Sequence, residues 1–148
     1  NSSTENNVGI IGLGVLGSAI AINFINKNIP INGYDIDQKA LEKLSNNKIN
    51  VYNSIHKISN ECNFIITSLP SESSLINVCK ELVNNDNLII IETSTLPLDC
   101  KLEAKKILLE KKLSVTAKNL QKQTPLAIAN KADHQVISTM LLAARNKK

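Results

Sequence analysis

Val8-Gly9-Ile10-Ile11-Gly12-Leu13-Gly14-Val15-Leu16-Gly17 decides the fold. Val8 to Leu13 reads as a short buried strand. Val15 to Asn26 carries Leu16, Ala19, Ile20, Ile22 and Phe24 at helix-compatible spacing. The glycines at 12, 14 and 17 therefore sit where a strand hands over to a helix. Asp35 follows Gly17 by 18 residues, at the end of a second apolar run, Ile31 to Ile36, which is entered through Pro30. A lone GxGxxG is weak, but strand, turn, helix, strand and acid in this order make the full dinucleotide fingerprint. Gly12 permits the tight turn, Gly14 lets backbone approach a pyrophosphate, and Gly17 lets helix and strand pack closely. The unpaired N–H groups at the helix start supply donors and partial positive charge for phosphate. Asp35 is placed to accept from ribose hydroxyls. A carboxylate there repels a 2′-phosphate, and the following Ile36, Asp37 and Gln38 supply no Arg, which favours NAD over NADP. The same glycines would also serve a tight turn that holds no ligand.

The pattern repeats along the chain. Asp37 suits the N-cap of a helix through Lys39, Ala40, Leu41 and Leu44. Ile49 to Tyr52 reads as a strand, Ser54 to Ser59 as a short helix and Phe64 to Leu69 as a strand stopped by Pro70. Ser71 to Val83 reads as a helix, Leu88 to Glu92 as a strand and Leu98 to Lys111 as a helix. Leu113 to Val115 is a candidate sixth strand. The strands are continuous apolar runs, as expected when both sheet faces are covered. The fold class is therefore α/β, a doubly wound parallel sheet, over residues 8–115. Residues 1–7 read as a disordered polar tail. From Thr124-Pro125 a stripe of Leu126, Ala129, Ala132, Val136, Ile137, Met140 and Leu141 predicts a closing amphipathic helix. That stripe needs a cover, either the sheet of its own chain or a second copy in a homodimer.

Composition narrows the function. The chain has 148 residues, 43% hydrophobic and 20% charged, with net charge +4. Apolar runs are too short to cross a membrane, and the start shows neither the basic nor the apolar block of a signal peptide. Met140 is the only Met, so the chain reads as a fragment, a processed chain or a trimmed one. Arg145 is the only Arg, and Phe24, Phe64, Tyr34 and Tyr52 are the only aromatics. Base-reading guanidinium forks and stacking platforms are thus scarce, which argues against nucleic acid as a partner. Cys62, Cys79 and Cys100 lack CxxC pairing and suit buried thiols in a reducing compartment, with no metal site. His56 and His134 have no ligand-spaced partners and read as surface residues.

Two further segments stand at strand ends: Thr67-Ser68-Leu69-Pro70-Ser71 and Glu92-Thr93-Ser94-Thr95-Leu96-Pro97. Their hydroxyls and Pro turns suit a nicotinamide or a substrate carboxylate. Ser71 and Thr95 would serve equally as helix caps.

Together with Gly9 to Gly17 and Asp35, these segments resemble the N-terminal domain of the β-hydroxyacid dehydrogenases. That group includes 3-hydroxyisobutyrate dehydrogenase and tartronate semialdehyde reductase and is related to 6-phosphogluconate dehydrogenase. The resemblance implies a Rossmann-type fold and oxidation of a small 3-hydroxyacid with hydride transfer to a nicotinamide, in the cytoplasm or mitochondrion. It implies Gly12, Leu13, Gly14, Val15, Leu16, Gly17 and Asp35 as cofactor contacts. Leu69 and Pro70 would lie along the cofactor, Ser74 near it, and Thr95 by the nicotinamide and substrate. Ala117-Lys118-Asn119-Leu120 resembles the family's late Lys-Asp-Leu segment, which implies Lys118 as a further contact. Residues 116–148 would then be a helical remnant of the C-terminal domain.

No counterpart to the family's Gly-Gly substrate segment or catalytic Lys follows Val115. Lys43-Leu44-Ser45-Asn46-Asn47 spells Lys-x-x-Asn-Asn but lies inside the nucleotide domain, where Lys43 reads as a solvated helix residue. The catalytic residue is therefore unknown, and turnover by this chain is expected to be negligible. The alternatives are a non-catalytic dinucleotide-binding or regulatory module, or a related class such as imine reductase or 6-phosphogluconate dehydrogenase. The last would want cations for a substrate phosphate, against which the single Arg argues.

Overall fold

A computed structural model describes residues 7–45, 48–82 and 87–118, with 112–118 described by backbone. Five parallel strands alternate with helices: β1 (Val8–Ile11), α1 (Val15–Asn26), β2 (Ile31–Tyr34), α2 (Gln38–Ser45), β3 (Ile49–Val51), α3 (Ile55–Glu61), β4 (Phe64–Thr67), α4 (Glu72–Glu81), β5 (Ile89–Glu92) and α5 (Leu98–Lys118). The sheet order is β3-β2-β1-β4-β5. β1 pairs with both β2 and β4, so the chain reverses its direction of winding between β1 and β4. Ligands of open α/β sheets bind at that reversal, beyond the strand C-terminal ends.

The apolar strands are explained by burial on both faces. Ile10 and Ile66 join Leu13, Ala21, Leu41 and Leu44 on the α1/α2 side. Their neighbours Ile11 and Ile65 join Ile55, Ile58 and Val78 on the α3/α4 side. Each such Ile contributes about 1.5–3 kcal/mol by leaving water. A third cluster, with Leu75, Cys79, Cys100 and Ala104, fastens α5 to α4. All three cysteines are buried free thiols.

Three expectations change. β1 stops at Ile11 rather than Leu13, because Gly12 turns at φ +96°. Leu113 to Val115 is not a sixth strand: it lies within α5, where no Gly or Pro halts the helix after Pro97. Asn7, read as tail, is held instead: its N–H donates to Asn63 Oδ1 at 3.0 Å, and its carbonyl accepts from Asn63 and Phe64 N–H. The rest of the expected tail and the helix from Pro125 lie outside the described residues.

Candidate functional site

A cavity of about 420 Å³ opens at the β1/β4 reversal. Gly12, Gly14, Val15, Leu16, Asp35, Leu69, Pro70 and Ser74, all singled out in the sequence, line it together. Elements separated by more than 50 residues meet there, because β1 and β4 are neighbours. Gly12 N–H donates to the Tyr34 carbonyl at 3.0 Å, and Ser68 N–H donates to the Ile11 carbonyl at 2.9 Å. The glycine loop is thus stitched to β2 on one side and to the β4 exit on the other.

The glycines divide by role. A Cβ on Gly12 would lie 2.0 Å from the Ser68 carbonyl oxygen, and one on Gly17 would lie 1.8 Å from the Gly12 carbonyl oxygen. These two make the packing possible. A Cβ on Gly14 would meet nothing within 4 Å and would project into open space. That position is a cradle rather than a packing contact.

Gly14 is also the N-cap of α1, with no side-chain cap bond and no acidic residue in the first turn. The first-turn N–H groups therefore face the loop without an internal acceptor at the cap. Val15 is 95% exposed and Ile36, beside Asp35, is 92% exposed, so two apolar side chains stand almost bare at the rim.

Asp35 is half-buried and bonded to backbone on both oxygens. Oδ2 accepts from Leu13 N–H at 2.6 Å, and Oδ1 accepts from Asp37 N–H at 2.8 Å. A carboxylate has roughly four lone-pair directions, so each oxygen keeps one for a hydroxyl donor. Leu13 thus acts through Asp35: its side chain is in the core and its carbonyl accepts from Ser18 Oγ. Neither Leu13 nor the buried Gly17 lines the cavity.

Ser71 caps α4, its Oγ accepting from Ser74 N–H at 3.2 Å. Asp37 caps α2 through Lys39 N–H. Thr95 is not a cap, because α5 begins at Leu98, after Pro97; Thr95 is exposed beyond β5 and does not line this cavity. Lys118 ends α5, and its side chain is outside the described set. His56 is exposed, and His134 lies outside the described residues.

The sequence reading missed Tyr34, Ile36, Ile55, Asn77, Val78 and Glu81 as lining residues. A usable signal existed on α4, since Asn77, Val78 and Glu81 follow Ser74 at helical spacing and share its face. Burial and the nearby Glu81 and Asp35 carboxylates push the Tyr34 phenol above its usual range. Both acids line the same cavity. Among the described lining residues there is no Lys, Arg or His.

Comparison with known proteins agrees with this geometry. A family described as the NAD binding domain of 6-phosphogluconate dehydrogenase matches residues 7–118. A mitochondrial 3-hydroxyisobutyrate dehydrogenase of Drosophila melanogaster is 30% identical over 97 residues, covering 63% of this chain and 30% of that protein. A probable mitochondrial 3-hydroxyisobutyrate dehydrogenase of Dictyostelium discoideum is 31% identical over 78 residues, covering 53% of this chain and 24% of that protein. The chain thus spans less than a third of the length of either relative. The Mycobacterium tuberculosis 3-hydroxyisobutyrate dehydrogenase structure with L-serine superposes with TM-score 0.66 at 17% identity, covering 73% of this chain and 38% of that one. A reductive aminase from Aspergillus terreus in complex with NADPH4 superposes with TM-score 0.67 at 13% identity, with the same coverage. At such identity these two likenesses show the fold.

Proposed function

The chain belongs to the family of the NAD binding domain of 6-phosphogluconate dehydrogenase, and on that premise we propose that it seats NAD in the β1/β4 crevice as the cofactor domain of a 3-hydroxyisobutyrate dehydrogenase-like enzyme. The observation that carries this reading is the open first turn of α1. Gly14 leaves both space and unshared N–H donors where a diphosphate would rest, and Asp35 keeps acceptor positions for a ribose beside it. Val15 and Ile36 would be covered by the bound molecule. Leu69, Pro70 and Ser74 line the same crevice and would lie along it, with Thr95 toward the nicotinamide and Lys118 as a further cofactor contact.

NAD is favoured over NADP. A 2′-phosphate would meet the Asp35 and Glu81 carboxylates with no described cation in the lining to offset it.

The bound nicotinamide would supply the hydride acceptor for a small 3-hydroxyacid. The residues of this chain bind and orient; among the described residues the cavity lining offers no cationic general acid or base for the hydroxyl proton. Turnover of 3-hydroxyisobutyrate by this chain is accordingly expected to be negligible. The same lining supports a second reading, a non-catalytic dinucleotide-binding module. Titrating NADH fluorescence and then adding hydroxyacid separates the two. Binding with appreciable turnover removes the module, and absence of NADH binding removes both.

Residues 8–115 would form the cofactor domain and 116–148 a remnant of the helical domain, pairing with a second copy through 126–142. A strict monomer in size-exclusion would exclude that pairing. No described helix is long and apolar enough to cross a membrane. Relatives named as mitochondrial, together with buried free thiols, support a mitochondrial or cytoplasmic compartment.

A further inference from the structure

The β4 side of the crevice, Ser68-Leu69-Pro70, is held by residues that do not line it. Leu69 N–H donates to Ser94 Oγ at 2.7 Å. Ser94 belongs to the loop after β5 and is 3% exposed. Its own N–H donates to Glu92 Oε1 at 2.8 Å, and the Thr67 hydroxyl donates to the same oxygen at 3.4 Å. Glu92 Oε2 lies 2.9 Å from Lys101 Nζ on α5, and the Glu92 side chain is only 6% exposed. That oxygen has no aligned hydrogen bond among the described residues, so the contact is ionic.

A carboxylate this deep is expensive to keep, and packing alone does not require one, since apolar residues often replace buried ion pairs without loss. Its visible work is to orient Ser94. Ser94 in turn pins Leu69, which packs against both the α3/α4 cluster and the α4/α5 cluster. The neighbouring Ser68 carbonyl sits against Gly12, so close that a Cβ there would overlap it. A slack β4 exit would therefore move the crevice wall, while the glycine loop keeps its own bonds to the Tyr34 carbonyl and to Asp35.

We infer that Glu92 and Ser94 are positioning residues. The line Lys101–Glu92–Ser94–Leu69 sets the crevice wall against the glycine loop, so that dinucleotide affinity depends on a carboxylate that does not touch the ligand. The inference rests on the NAD-binding reading above.

The test compares NADH with AMP on the full chain. AMP keeps the adenosine end by Asp35 but lacks the part that would run along Leu69 and Pro70. Ser94→Ala is expected to weaken NADH about tenfold, the worth of one hydrogen bond to part-buried backbone, and AMP less than about twofold. Glu92→Ala should show the same split. Glu92→Gln, which retains an acceptor for Ser94 N–H, should recover NADH affinity to within about threefold of wild type. The two Glu92 variants carry the test if Ser94→Ala does not fold. Equal losses for NADH and AMP, no loss of either, or a Gln variant as weak as the Ala variant overturns the inference. If the wild-type chain binds AMP and NADH not at all, the cofactor reading has failed first, and the relay falls with it.

Discussion

Helices α1 and α4 both start at the C-terminal edge of the sheet, after the adjacent strands β1 and β4, yet their first turns are closed in opposite ways. Ser71 caps α4 and Glu72 adds an acid to its first turn. α3 follows the same plan, with Ser54 Oγ accepting from Lys57 N–H. α1 has Gly14 instead, no cap bond and no acid, and it opens on the bare side chain of Val15. The difference separates a helix start that keeps its donors for itself from one that leaves them open to the proposed diphosphate. A Gly at the N-cap costs only about a few tenths of a kcal/mol relative to a Ser cap. That cost is tolerated at the turn where a Cβ would meet nothing within 4 Å.

The contrast can be broken most severely at the packing glycines. Gly17→Ala would drive a methyl into the Gly12 carbonyl, and Gly12→Ala would add positive-φ strain to an overlap with Ser68. Either should cost on the order of 3 kcal/mol or more in urea denaturation, with cofactor binding lost. Gly14→Asp converts α1 to the closure of α4. Its φ of −70° accepts a side chain and nothing stands in the way. Stability should hold or rise by a few tenths of a kcal/mol, while NADH affinity falls about 100-fold as the carboxylate occupies the donors and repels phosphate. If NADH binds Gly14→Asp as tightly as wild type, the open turn is not the anion site. Asp35→Ala should weaken NADH about tenfold and NADPH less, narrowing the preference. Ser54→Ala breaks a closure remote from the crevice; about 1 kcal/mol of stability should go, with NADH affinity unchanged.

The smallest effect concerns how α3 and α4 are anchored. Burial pushes the Cys62 thiol, at the end of α3, up to about 11 and the Cys79 thiol, on α4, up to about 12, from an ordinary value of 9.0. Above pH 9 the unfolded chain would ionise these thiols while the folded chain would not. Their contribution is therefore complete below pH 9 and is lost as pH rises toward 11 and 12. Chemical denaturation across this range should show a decline that Cys79→Ala lessens. A flat profile in wild type would mean the thiols are less sequestered than their burial implies.

Much of the fold was legible because its signals are local. The three glycines of the first turn, the bilateral apolar runs and the capping residues Asp37 and Ser71 each act within a few positions. The errors were local signals overruled by context. Leu113 to Val115 has β-compatible residues, but α5 had no stop signal ahead of it. Thr95 has the chemistry of a cap, but Pro97 sets the helix start two residues later. Glu92 and Ser94 looked like parts of a strand-end motif, and nothing in their spacing said that their side chains turn under the crevice.

Glycine spacing, apolar periodicity and one acid at 35 were sufficient for a dinucleotide-type βαβ unit, because turn geometry and strand burial depend on neighbours in the chain. Which far residues share the crevice came from packing alone. Glu81 shares a cavity with Asp35, and Ser94 reaches Leu69, only because parallel pairing sets β1 between β2 and β4 and β5 beside β4. Side-chain direction at a strand end is decided by what packs beneath it, and linear spacing carries no record of that.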